Sequence, residues 1–286
     1  MIKRKNLVAL LEQVPAFKTP DYELEQYKTG AELAASIAFS IENSFGDISN
    51  HIVADLGCGT GILSAACAAL GAAHVVAVDI DPSALEQAAS ALDEMGLIET
   101  VDFINADVST LHQYGLFRER YQRTLPCENL LSPSAKDEIV SAARRPEDDG
   151  LNSSAIHAYG IFDTVLMNPP FGTRRQGIDV AFLRSALSLC TQNGVVYSLH
   201  KSSTRAHLAH LAETWGVGCA LVAELKFDIP ATYAFHKADS LDVDVDLLRF
   251  SKGSMSKQAS LGKHSAAKSV EVSGHEKVKR SKKVVH

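Results

Sequence analysis

Ile52-Val53-Ala54-Asp55-Leu56-Gly57-Cys58-Gly59-Thr60-Gly61 is an apolar run that ends on an acid followed by three alternating glycines. The run reads as a buried strand, and the glycines as a loop whose backbone can approach a ligand and turn its amides toward it. A helix follows from Ile62 to Leu70, with Gly71 as its stop. The pattern then repeats. His74 to Val78 is a strand leading into Asp79-Ile80-Asp81-Pro82, with Asp81 as a helix cap and Pro82 just inside a helix that runs from Ser83 to about Met95. Val101 to Ile104 is a third strand, ending near Asp107-Val108. Strand, glycine loop, helix, strand, helix, strand predicts an α/β fold with a mostly parallel sheet and helices on both faces.

On the amino-terminal side, residues 7–14 read as a short amphipathic helix that follows the basic start Met1 to Asn6, which excludes a signal peptide reading. Pro15 and Pro20 punctuate an extended segment reaching Leu24-Glu25-Gln26-Tyr27-Lys28-Thr29. A second helix follows from Gly30 or Ala31 to about Phe45. On the carboxyl side, Phe162 to Met167 is a buried strand stopped by Pro169 and Pro170, which cannot continue a sheet ladder. A helix runs from about Asp179 to Cys190, Asn193-Gly194 is a turn, and Val195 to Leu199 is a strand. Ser203 or Thr204 caps a helix to Trp215. Two late strands, Cys219 to Phe227 and Val243 to Phe250, bring the sheet to seven. The alternation from Leu241 to Leu247 predicts that the last has a wet face or lies near the sheet margin.

Residues 1–250 therefore read as one domain. A polar segment, 109–159, interrupts it and is too long for an ordinary connection, so it reads as a mobile insertion or as an RNA contact through its arginines. Residues 251–286 read as a disordered basic tail. That tail holds nine Lys and Arg against two Glu, so the net charge of −6 places about −13 on the first 250 residues. A body that acidic argues against non-specific nucleic-acid binding and fits a local basic surface, or one partly supplied by a partner. Five scattered cysteines without metal-ligand spacing point to buried thiols in a reducing compartment, with no metal site. No run of about 18 apolar residues is present to span a membrane.

The chemistry sits at the strand ends. A dinucleotide loop reads Gly-x-Gly-x-x-Gly, whereas here the third glycine comes one residue early and Asp55 stands two before the first. This resembles the cofactor loop of S-adenosylmethionine methyltransferases. That cofactor lacks phosphate but has an amino-acid end, a ribose diol and an adenine. Asp79 is placed to accept from the diol, Asp107 from the adenine amine with Val108 donating its amide, and Asp55 to orient the loop or take the ammonium. Cys58 supplies backbone. Asn168-Pro169-Pro170-Phe171 then suits a planar amine: the Asn168 oxygen and the Pro169 carbonyl accept its two hydrogens, and Phe171 stacks on the base once it has left its own stack. The same corner also suits a protein glutamine amide or a DNA or small-molecule amine, and a non-catalytic cofactor-binding scaffold is a further alternative.

Val53 to Gly59, Met167-Asn168-Pro169-Pro170-Phe171-Gly172-Thr173, Tyr197 to Arg205 and Phe235-His236-Lys237 resemble the eukaryotic methyltransferase-like protein five family. The resemblance covers roughly residues 3–110 and 160–250. It implies a Rossmann-like class I fold that transfers a methyl group from S-adenosylmethionine to N6 of one adenosine of 18S ribosomal RNA. It also implies a small zinc-containing activator protein adding a strand at the sheet edge near 101–104. Gln26 and Thr29 are expected to close over the cofactor, with Gly57, Cys58, Gly59, Thr60, Leu63, Asp79, Ile80, Asp107, Val108 and Asn168 forming its pocket. Lys201, Arg205, His236 and Lys237 are expected at RNA phosphates, or else as solvated charge. Lys28 stands where the family has a proline, which predicts a less rigid cap. The run from Lys277 to Lys283 is a weak import-like signal, consistent with a nuclear, nucleolar and cytoplasmic protein.

Overall fold

Strand β1 (Ile52–Leu56) has four consecutive buried residues, so it needs cover on both faces. In the computed structural model of the protein, which describes residues 2–113, 160–230 and 240–252, it receives that cover at the centre of a seven-stranded sheet. The other strands are β2 (His74–Asp79), β3 (Val101–Asn105), β4 (Phe162–Met167), β5 (Cys190–Lys201), β6 (Gly218–Pro230) and β7 (Ser240–Ser251). Their order is β3-β2-β1-β4-β5-β7-β6. The first five are parallel, and β7 runs antiparallel to both of its neighbours.

Among the described residues six helices flank the sheet: α1 (Arg4–Leu11), α2 (Ala31–Phe45), α3 (Ile62–Ala69), α4 (Pro82–Glu94), α5 (Ile178–Leu189) and α6 (Arg205–Thr214). Successive strand residues point to opposite faces, and the core divides accordingly. Val53, Val75 and Leu166 pack with Leu11, Ile41 and Leu92 from α1, α2 and α4. Ala54, Val76 and Val165 pack with Leu183 and Leu208 from α5 and α6. This two-sided burial is why the strands read as apolar runs without alternation.

Several boundaries differ from expectation. The first helix starts at Arg4, because the Arg4 guanidinium reaches Glu32 and Ser36 on α2 and draws the basic start into the turn. Asn193-Gly194 is not a turn ahead of a strand. The strand begins at Cys190, and residues 191–194 bulge opposite the single residue Asp163 of β4. A Cβ on Gly194 would stand 2.5 Å from the Cys190 sulfur and 2.7 Å from the Asp163 carbonyl, so only glycine fits that bulge. Neither Ser203 nor Thr204 caps α6 with its side chain. A 3-10 turn (Ser202–Thr204) leads in, and the Thr204 hydroxyl donates to the Lys201 carbonyl.

β7 lies between β5 and the edge strand β6, one strand from the margin, and Asp244 is exposed, as the alternation implied; Asp246 is instead fully buried because Arg205 and Ser202 reach it. Ser109 belongs to the fold as well. Val108–Gln113 forms a 3-10 helix in which Val108, Ser109 and Leu111 are buried, so the insertion starts later than its polarity suggested. Lys252, read as the start of the tail, is buried and donates to the Cys190 carbonyl. Residues 114–159, the loop carrying His236 and Lys237, and the chain beyond Lys252 lie outside the described residues.

Candidate active site

In an open α/β sheet, ligands bind beyond the carboxyl ends of the strands where the strand order reverses. Here that point is between β1 and β4. The glycine loop leaves β1 there, and the Asn168 corner leaves β4.

The loop is pinned to β2. Gly57 and Cys58 donate their amides to the Val78 carbonyl at 2.8 and 3.0 Å. Gly59 donates to Asp79 Oδ2 at 2.8 Å. Gly59 also has a left-handed φ of +54°, and a Cβ there would lie 2.7 Å from the Phe17 ring. Glycine is therefore required twice over at that position.

Asp79 accepts from Gly59 through one oxygen and from the Asp81 amide through the other, at 2.9 Å. Each oxygen keeps a lone pair for a second donor. Burial raises its pKa above the ordinary carboxylate value. Asp81 caps α4 as expected, accepting from the Ser83 amide at 2.8 Å, and its second oxygen accepts from Gln26 Nε2 at 2.8 Å. Asp107 Oδ1 accepts from the Ser109 amide and hydroxyl, at 2.9 and 2.7 Å, and so caps the 3-10 helix.

Asp55 is the unusual member. Its Oδ2 accepts from Ser64 Oγ at 2.6 Å, but its Oδ1 is buried without a hydrogen-bond partner among the described residues. Burial pushes this carboxyl up to about 7. An orphaned buried acceptor is costly and asks for a donor. An ammonium at Asp55 with a diol at Asp79 matches the donor set of S-adenosylmethionine, while three acids lining one cleft would repel a pyrophosphate.

All the residues expected to hold that cofactor line one cleft, from Gln26 and Thr29 through the glycine loop to Val108 and Asn168. The cleft spans about 1090 Å³ with its open mouth included. Ile80, 46% exposed, presents an apolar surface there. Cys58 is buried and its thiol pKa is raised well above the ordinary value by burial, which fits backbone supply and rules out a thiolate nucleophile.

Asn168 and Pro170 line the same cleft, and Pro169 is buried beside them. The Asn168 amide is bonded at both ends to the amino-terminal segment. Its Nδ2 donates to Thr29 Oγ1 at 3.1 Å, and its Oδ1 accepts from the Tyr27 hydroxyl at 3.3 Å. The Phe171 ring stacks on Tyr27 with centroids 5.6 Å apart and meets Phe227 edge-on at 6.4 Å. Its amide donates to Glu25 Oε2 at 3.0 Å, and the Arg174 amide to Glu25 Oε1 at 2.9 Å. Lys28, where a proline was expected, donates to the Val14 carbonyl and tethers the segment by a bond in place of a ring.

Among the residues assigned to RNA, Lys201 stands beside the corner, its Nζ 5.7 Å from the Phe171 ring centroid. Arg205 has partners within the fold. Its guanidinium is committed to Asp246 through two bonds of 2.6 and 2.7 Å and to Glu224 at 2.6 Å, so it serves the fold. Arg205→Ala is expected to strand the buried Asp246 carboxylate and lower the melting temperature by roughly 5–10 °C. Lys201→Ala should leave melting unchanged and flatten the salt dependence of RNA binding by about one unit of slope. Calorimetry and filter binding check the pair.

Glu25 and Tyr27 were not assigned a role from the sequence, although they flank Gln26. Their signal was an acid and an aromatic placed alternately in a segment already expected to cover a ligand.

Comparison with known proteins agrees with this geometry. Residues 53–145 match the family model described as a methyltransferase domain. The chain is 38% identical over 250 residues to the zebrafish (Danio rerio) rRNA N(6)-adenosine-methyltransferase METTL5, covering 87% of this chain and 99% of that protein. It is 36% identical to the Drosophila melanogaster rRNA N(6)-adenosine-methyltransferase Mettl5, covering 88% and 98%. Among solved structures, a candidate RNA methyltransferase from Pyrococcus horikoshii is 28% identical with a TM-score of 0.61, covering 88% of this chain and 98% of that one.

Proposed function

The chain belongs to the METTL5 family of rRNA N6-adenosine methyltransferases, and from that premise we propose that it methylates the exocyclic amine of one adenosine in small-subunit ribosomal RNA. The observation that carries this reading is the register Leu56↔Met167, which sets the acidic glycine loop and the Asn168 corner on adjacent strand ends.

S-adenosylmethionine is the cofactor, and when bound it supplies an electrophilic methyl group on a sulfonium sulfur. The protein's residues do the rest. Asp55 and Asp79 hold the ammonium and the diol. Asn168 Oδ1 and the Pro169 carbonyl accept the two hydrogens of the adenine amine, turning its lone pair out of the ring's conjugation and toward the methyl carbon. Prolines fix that carbonyl at little entropic cost. Thr29 holds the amide so that the oxygen, and not the nitrogen, faces the amine. The amine nitrogen becomes acidic as it is alkylated, so its proton leaves to water without a dedicated base. Orientation and exclusion of water carry most of the rate.

We further propose a small zinc-containing activator protein as partner. Among the described residues β3 pairs only with β2, leaving an open edge whose Phe103 and Ile104 are half-buried, and an added strand would cover it. A nuclear, nucleolar and cytoplasmic location is proposed from the run Lys277 to Lys283; imaging with and without that run tests it.

The deciding experiment incubates the full chain, with and without the activator, with labelled S-adenosylmethionine and with ribosomal RNA from cells lacking the gene. Label in N6-methyladenosine of the small-subunit RNA, with higher yield and a higher melting temperature in the presence of the activator, is expected. Label on a protein glutamine would replace the RNA reading with an amide one.

A further inference from the structure

The corner that should grip an adenine is already engaged by the protein itself. Tyr27 makes the two contacts expected of the target base: its ring stacks on Phe171 at 5.6 Å with 30° between planes, and its hydroxyl donates to Asn168 Oδ1. Two residues earlier, the Glu25 carboxylate sits in a cradle of two backbone amides, those of Phe171 and Arg174. Converging main-chain N–H groups of this kind form an anion site, equally suited to a carboxylate or a phosphate oxygen. Glu25 holds that place at a φ of +52°, a left-handed conformation uncommon outside glycine and retained only where the surroundings enforce it.

We propose that the Phe171 and Arg174 amides are the binding site for a phosphate of the target nucleotide, and that Glu25 and Tyr27 stand in for phosphate and base until RNA displaces them. The identity of the base rests on the adenosine reading above; the anion site rests on the amide geometry alone. The arrangement keeps water and unselected amines away from the methyl donor, and it makes an aromatic base with its attached phosphate a better competitor than either part alone. Arg174, whose guanidinium lies 3.3 Å from the centroid of the Tyr22 ring, adds positive charge beside the cradle.

Two measurements on the full-length protein test this. In the first, hydrogen exchange of residues 21–29 is followed in the presence of S-adenosylhomocysteine with adenosine 5′-monophosphate or adenosine at millimolar concentration. Faster exchange with the monophosphate, and a smaller change with adenosine, is expected. Slowed exchange would mean that the segment closes over the nucleotide, and would overturn the proposal. In the second, Tyr27→Phe keeps the ring and removes the hydroxyl. The expected result is a three- to tenfold lower KM for RNA at unchanged kcat; a lower kcat at unchanged KM would make the hydroxyl a positioning group for Asn168 instead. Glu25→Gln is expected to tighten binding of the monophosphate severalfold but not that of adenosine, with melting curves checking that it folds; equal effects on both would sink the phosphate assignment. The exchange and binding measurements need no methyl transfer, so they judge the anion site even if ribosomal RNA proves not to be the substrate.

Discussion

Replacing Asn168 with alanine should reduce methyl transfer to RNA by roughly 10²–10³-fold, the usual effect of removing a preorganised hydrogen-bonding group at a reacting centre. Affinity for the cofactor should change little, because Asp55 and Asp79, proposed for the ammonium and the diol, lie on other strand ends. Single-turnover kinetics with calorimetric binding of S-adenosylhomocysteine separates the two effects. Loss of both together would make Asn168 a structural residue, since Thr29 is bonded to it and lines the same cleft.

Asp55→Asn should have the opposite signature, weakening cofactor binding by roughly 10–100-fold, as expected for losing one charged hydrogen bond. The pH dependence gives a sharper test. Burial raises this carboxyl from the ordinary 3.8 to about 7 in the free protein. Below about pH 7 the free protein therefore carries a proton on Asp55 that an incoming ammonium must expel. Cofactor affinity should fall as the pH drops below 7, by at most tenfold per unit, with a proton released from the site to buffer on binding, and should level off above 7. Stability runs the other way. The folded state holds this proton more tightly than the unfolded chain, so the free protein loses stability as the pH rises from about 4 to about 7. The Asn variant should lack both slopes. Titrations in buffers of different ionisation enthalpy, and melting curves across the same range, read them.

Much of this was legible in the sequence because the relevant signals are local. Strand β1, its glycine loop and the acids at 55, 79 and 107 occupy one continuous segment, and their spacing alone implies adjacent strand ends. The errors arise where a distant partner decides. Asp246 looked like a wet strand position because no property of Asp246 itself announces Arg205, 41 residues away. The ion pairs of Arg205 with Asp246 and Glu224 were hidden for the same reason. The bulge at residues 191–194 is set by a neighbouring strand, so Asn193-Gly194 mimicked a turn. The contacts of Glu25 and Tyr27 span more than 140 positions in the chain and were invisible until the fold closed them.

The pairing Leu56↔Met167 fixes something further. Neighbouring strands lie about 4.8 Å apart, so the donor loop and the acceptor corner are separated by a distance that the backbone ladder, and no surface side chain, dictates. The sheet is in effect a ruler for alkylation, the same for any amine that can be presented at its edge. Choice of polymer is left to what surrounds the ruler: the amino-terminal segment, Lys201 and the segment that follows β4. Exchanging those segments should redirect the enzyme to another planar amine or amide while the reach of the methyl group stays as it is.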